Sequence, residues 1–204
     1  MQDESIELLK ILINISSSIF YTRKSNVSRI EDQKFYDKAI EDFLQESVIT
    51  PLDKSLDSLS IQISNVLNII PIYYKFLKNV EGLTMFDSAE IICIIKDINR
   101  FQKFSKLLSY AGFTPHRTKY NKRFHKLLLK LSYKLSQNNL LYSYIYEEAY
   151  ENYKQKGNYK NEDHLVNLAK RVVIKQFLKD LYLNWVSLNE SEWGNIYDGD
   201  TGYF

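Results

Sequence analysis

Apolar residues recur along this chain at helical spacing and show no convincing two-residue alternation, which points to an all-α fold. Leu8, Leu9, Leu12, Ile15 and Ile19 mark one face of a helix over 4–20. Residues 21–30 are polar and read as a linker. A helix over about 31–47 groups Phe35, Ala39, Phe43 and Leu44. Thr50-Pro51-Leu52-Asp53 reads as a helix start, with Thr50 as N-cap, and that helix reaches about Ile70. Pro71 opens another, to about residue 80. Glu81-Gly82-Leu83-Thr84 is a tight break, and Thr84 or Asp87 caps a helix to about Ile98. A helix over 100–111 is stopped by Gly112 and Pro115. Further helices are expected over about 121–137, 139–155 and 162–188, the last opening at Asn161-Glu162-Asp163. The expected organisation is an N-terminal helical arm (1–50), a helical-bundle domain (51–190) and a mobile aromatic and acidic tail (191–204). Trp193, Tyr197, Tyr203 and Phe204 of that tail are available to a partner.

No apolar run reaches the roughly 18–20 residues of a membrane span, and the acidic N-terminus MQDESIELLK does not read as a secretory leader. Cys93 is the only cysteine, which excludes an intramolecular disulfide and argues against a cysteine-based metal site. The expectation is a cytoplasmic protein, or one of the host cytoplasm for a viral chain, without membrane contact, metal or cofactor.

The formal charge of +2 conceals a sharp segregation. Between Asp97 and Glu147 there is no acid, yet Arg100, Lys103, Lys106, Arg117, Lys119, Lys122, Arg123, Lys126, Lys130 and Lys134 all fall there, with His116 and His125. The rest of the chain is net acidic. Such a block raises a local positive potential that attracts polyanions. Lys119, Lys122, Arg123, Lys126 and Lys130 are expected to share one helical face, with Tyr120 and Phe124 interleaved to stack on unpaired bases. Glu147, Glu148 and Glu151 read as a solvated helix start, with a Mg²⁺ site as the alternative. His164 reads as a first-turn capping or surface residue. Tyr142, Tyr146, Tyr150 and Tyr153 read as packing residues along one face.

The segment RFQKFSKLLSYAGFTP (Arg100–Pro115) resembles the C-terminal serine domain of the bridge-RNA-guided insertion-sequence transposases, a family that includes the pilin-gene invertase. Arg100, Phe101, Leu107, Tyr110, Ala111, Gly112 and Pro115 carry the likeness. Gly82 and Ala89 upstream, and Ala169, Lys170 and Arg171 downstream, extend it over roughly 52–188. The resemblance implies a helical domain containing a helix-hairpin-helix. It also implies an N-terminal RuvC-like DEDD domain, for which the residues before the match leave no room. The family's nucleophilic Ser-Gly pair falls on Tyr120-Asn121 here, and Thr84 stands where the hairpin's second glycine would be. The hairpin is therefore expected to be degenerate and structural, and the catalytic apparatus of the family to be missing. A Tyr120 nucleophile helped by His116, Arg117 and Arg123 is one residual catalytic candidate, and an enzyme whose carboxylates come from a partner is another.

Together these features suggest a non-catalytic nucleic-acid-binding protein of a mobile element or virus. It would bind DNA, or RNA, through Arg100, Lys103, Arg117, Lys119, Tyr120, Lys122, Arg123, Lys126 and Lys130. The alternative is a structural or interaction protein, a virion component or an inhibitor of a host protein. Its contacts with a second copy or another protein would run through helix 4–20 and the C-terminal tail.

Overall fold

Every regular element among the described residues is a helix, and the helices pack against one another as all-α bundles. The computed structural model describes residues 2–33, 38–115, 119–157 and 159–197, with side chains from residue 3 to residue 189. The chain divides into two compact units, Met1–Ile70 and Pro71–Phe204. No helix among the described residues is long and apolar enough to cross a membrane.

The first unit contains α1 (Gln2–Asp32), α2 (Lys38–Leu44), a π-turn (Gln45–Ile49) and α3 (Thr50–Asn68). Helix α1 runs straight through the expected linker 21–30. Near its middle the hydroxyls of Ser18 and Thr22 donate to the Asn14 and Ser18 carbonyls one turn back, so these polar side chains are accommodated within the helix. Arg23 also ion-pairs with Asp53 of α3 through two guanidinium nitrogens. That pairing is tertiary, so local polarity gave no sign of it. The buried line of α1 is Ile6, Leu9, Ile13 and Ser16, while Leu8 and Ile15, expected on the inner face, are exposed. Of the group expected in the second helix, Phe35 lies outside the described residues and Phe43 is exposed.

Thr50 does not act as an N-cap. The backbone reaches it already helical, and its hydroxyl donates to the Gln45 carbonyl at 3.1 Å. Pro51 has no N–H to give and its ring crowds the carbonyl one turn earlier, a conflict that the wider π-turn relieves. The two helical stretches therefore join, and α3 packs along α1. The boundary expected after residue 50 falls inside this unit.

The second unit contains α4 (Pro71–Lys75), a 3-10 turn (Leu77–Asn79), α5 (Met85–Ile95), a second 3-10 turn (Ile98–Arg100) and α6 (Phe104–Ala111). These are followed by α7 (Lys122–Asn138), α8 (Leu140–Lys156) and α9 (Glu162–Tyr197). Helix α5 stops at Ile95 because Lys96 turns to φ +61°, and the Asp97 carboxylate then accepts the Asn99 N–H at 2.9 Å. Extended Lys103 delays α6 to Phe104, so the helix expected from residue 100 starts one turn late.

Helix α9 is the core of this unit. Leu165, Ala169, Val173, Phe177, Leu181 and Trp185 repeat every four residues and are buried, and the helix touches α4, α6, α7 and α8. At 36 residues it is about 54 Å long. It continues to Tyr197, beyond the expected start of the tail at 191; one interior glycine, Gly194, costs a helix only about 1 kcal/mol. The side chains of Trp193 and Tyr197, and all of Tyr203 and Phe204, lie outside the described residues.

Tyr142 joins α8 to α9. Its ring is buried edge-on against Phe177, and its hydroxyl donates to Asp180 at 2.9 Å. Burial, with the Asp180 charge beside it, pushes this phenol well above the usual range, so it remains a donor. Gln176 donates to the other Asp180 oxygen at 2.8 Å. Tyr142→Phe removes one donor and leaves the ring in place. Denaturant unfolding should show a loss of about 1–2 kcal/mol with an unchanged m-value.

Candidate nucleic-acid interface

The segment between α4 and α5 folds against α7. Gly82, at φ +90°, sits so close to α7 that an added Cβ would lie 3.0 Å from the Lys134 carbonyl oxygen. Thr84 then caps α5 with a complete capping box. Its hydroxyl oxygen accepts the Asp87 N–H at 3.1 Å, and the Asp87 carboxylate accepts the Thr84 N–H at 3.1 Å and the Thr84 hydroxyl at 2.7 Å. A helix-hairpin-helix would offer this helix end to a phosphate. Here the protein's own carboxylate occupies it.

Asp87 is buried, and two α7 lysines reach it: Lys134 Nζ at 2.5 Å and Lys130 Nζ at 3.4 Å. One α5 turn later, Glu90 accepts from Arg123 Nε at 2.7 Å. Three cations of the acid-free block are thus neutralised by carboxylates lying just outside it in sequence. Arg123 and Lys130, both expected to hold nucleic acid, already have carboxylate partners.

Arg100 is engaged in another way. Its guanidinium lies over Phe101 at 4.8 Å and Tyr110 at 4.7 Å, and Nη1 donates to the Ile95 carbonyl at 3.3 Å. A cation at the negative end of α5 is favourable there. Phe124 is fully buried and belongs to the core with Leu127, Leu128 and Leu131, so it is no stacking surface. Its place in that i, i+3, i+4, i+7 line was the available signal. Arg117 lies outside the described residues.

The remaining cations gather at the N-terminal end of α7. Lys106 and Lys119 line a hollow of about 510 Å³ together with Phe101, Tyr110, Tyr120 and Asn121. Lys122 and Lys126 line a second, of about 480 Å³, with Glu90, Arg123, Leu127 and Lys130. The expected single face is therefore split, with Lys119 in the first hollow and the α7 cations in the second. Exposed Lys103 stands at the start of α6. Lys103, Lys106, Lys122 and Lys126 have no carboxylate at ion-pair distance among the described residues.

Two residues sequence reasoning did not single out for this role hold the first hollow in shape. Asn121 caps α7 by accepting the Phe124 N–H at 2.9 Å, and its Nδ2 donates to the Tyr110 hydroxyl at 2.6 Å. Gly112 ends α6 at φ +80°, and a Cβ there would lie 2.7 Å from the Tyr120 ring. Tyr120 also meets the His125 ring at 4.9 Å. Its outer side remains open.

The acidic cluster on α8 does not converge. Glu147, Glu151 and Glu162 border a shallow hollow, but Glu151 pairs with Lys154 at 3.8 Å and Glu162 accepts from the Tyr150 hydroxyl. No group of three or more potential metal ligands exists among the described residues.

Burial alone would raise the Asp87 carboxyl. Hydrogen bonds from Lys134 and Thr84, with the Lys130 charge, outweigh burial and hold it below its ordinary value of 3.8. A depressed carboxyl stabilises the fold above the unfolded value and loses that contribution as pH falls through the folded one. Asp87→Asn should therefore cost about 1–2 kcal/mol at neutral pH. In urea melts across pH, the gap between variant and parent should narrow below the unfolded value; a gap constant with pH would refute the assignment.

Compared with known proteins, the chain matches no family model, no curated protein and no solved structure.

Proposed function

We propose that this chain is a non-catalytic nucleic-acid-binding protein of a mobile element or virus that holds the phosphate backbone through its 100–134 segment. The carrying observation is the placement of Lys106, Lys119, Lys122 and Lys126 around two hollows near the N-terminal end of α7, with the half-open Tyr120 ring in the first. Lysines on a backbone track supply sequence-independent affinity, and an aromatic face adds stacking on unpaired bases. The likeness of Arg100–Pro115 to a transposase domain supports descent from a DNA-rearranging enzyme. Loss of the cutting chemistry fits the same picture: the Asn121 side chain is committed to the α7 cap, and Arg123 to Glu90.

Salt dependence tests the proposal. Binding to DNA or RNA strands, followed by fluorescence anisotropy, should weaken with salt with a log–log slope of about −3 to −4. Lys106→Gln, Lys122→Gln and Lys126→Gln together should reduce that slope by about 2 to 3. Lys130→Gln, which removes a partner of Asp87, should change it less than any one of those three. No binding even at low salt would end the proposal, as would divalent-metal-dependent cleavage of branched DNA for its non-catalytic part.

A second reading rests on α1, whose Leu8, Ile11, Ile15, Phe20 and Tyr21 are exposed. Scattered exposed apolar residues are common, but this many on one helix favours a protein contact. Under that reading the chain is a structural or interaction protein. Light scattering would then show self-association, or a bound partner, that is lost when Ile11 and Ile15 become lysine.

A further inference from the structure

A further hollow, of about 400 Å³, lies between α7 and α9 and is lined by His125, Leu129, His164, Asn167, Leu168 and Arg171. No carboxylate is among the described residues that line it. The two imidazoles come from different helices, and backbone hydrogen bonds fix both.

His125 Nδ1 lies 2.9 Å from the Ala111 carbonyl oxygen. A carbonyl only accepts, so Nδ1 carries the hydrogen and Nε2 is left open. The ring is packed between Phe113, stacked at 4.6 Å, and Tyr120 at 4.9 Å. His164 is the mirror case. Its Nδ1 accepts the Lys160 backbone N–H at 3.2 Å, while the His164 backbone N–H donates to Asn161 Oδ1 at 2.9 Å. In the neutral ring the hydrogen therefore sits on Nε2. One imidazole thus has an open acceptor nitrogen and the other an N–H donor.

Arg171 adds a planar guanidinium and Asn167 an amide, and neither has a hydrogen-bond or ion-pair partner among the described residues. Leu129 and Leu168 supply apolar wall. The donors match an anion with several oxygens, and the open His125 nitrogen suits a ligand that also carries a hydroxyl. A carboxylate has two oxygens, which Arg171 alone would satisfy. A phosphodiester has two free oxygens and no hydroxyl. A phosphate monoester has three and titrates near neutrality, so it carries both acceptors and a P–OH.

We infer that the hollow between α7 and α9 is a binding site for a phosphate monoester, with the organic part of the ligand against Leu129 and Leu168. The ester belongs either to a free mononucleotide or to the end of a nucleic-acid strand. The inference does not depend on backbone binding by the lysines, and the two fail separately.

The chain has three histidines, so NMR signals of the imidazole Hε1 protons can be assigned with His125→Gln and His164→Gln. Titration of the full protein with AMP should shift both the His125 and His164 signals to saturation, and adenosine should not. Arg171→Gln, on an exposed position, should weaken AMP binding about tenfold without altering the melting temperature. His164→Gln places at the third helical position a residue that can preserve the cap, so its loss of binding would not reflect unfolding. If strand ends are the source, an oligonucleotide with a terminal phosphate should bind several-fold tighter than the same strand ending in a hydroxyl, and Arg171→Gln should erase that difference. Either response supports the site. Equal shifts from AMP and adenosine, AMP binding undiminished in Arg171→Gln, or no response in both arms would overturn it. A full AMP response with no strand binding at any salt would refute the backbone proposal and leave this site standing.

Discussion

Asp87 lies buried in the first turn of α5, and two lysines placed 43 and 47 residues later reach back to it. A carboxylate in that position would be strongly destabilising without partners. It has them on both sides: the Thr84 backbone and hydroxyl on its own helix, Lys130 and Lys134 on α7. This arrangement sets α5 against α7 and brings the Gly82 backbone onto the Lys134 carbonyl. The register of α7 then decides which of its cations face α5 and which face away.

That division gives the acid-free block its chemical character. The C-terminal part of the block is structural, since Lys130 and Lys134 neutralise a buried acid. The N-terminal part retains charge without a carboxylate partner among the described residues at Lys103, Lys106, Lys122 and Lys126, and Lys106 shares its hollow with Tyr120. A uniform run of charge in one dimension has become a polarised surface in three. Field strength at the end of α7 depends on that polarity more than on the total.

Much of the fold was legible where periodicity and capping agree. Helix α7 shows both, with Asn121 before it, Asn139 after it and Phe124, Leu127, Leu128 and Leu131 between. The same pattern already placed Phe124 in the core, although its neighbours suggested a stacking role. The C-terminal half of α1 was illegible because its support, the Arg23–Asp53 pair, spans 30 residues. The site was half legible for a related reason. Composition located the cations, but their neutralising partners Asp87 and Glu90 sit outside the window that made the cations conspicuous. The hollow shared by His125 and Arg171 had no sequence signature, because it exists only where α7 and α9 touch.

Gly112 carries two restrictions at once, a left-handed backbone and the proximity of the Tyr120 ring. They have different remedies. Asparagine tolerates the backbone angle, but its Cβ needs a smaller residue at 120 and some give in the His125 ring, whose Nδ1 would lie 3.0 Å away. Mutational routes at these positions therefore have a preferred order: the ring must shrink before the glycine can change. Since the ring is also partly open to solvent, drift at a helix terminus is tied to the loss of that aromatic surface. Two positions that look independent on paper would be inherited as a pair.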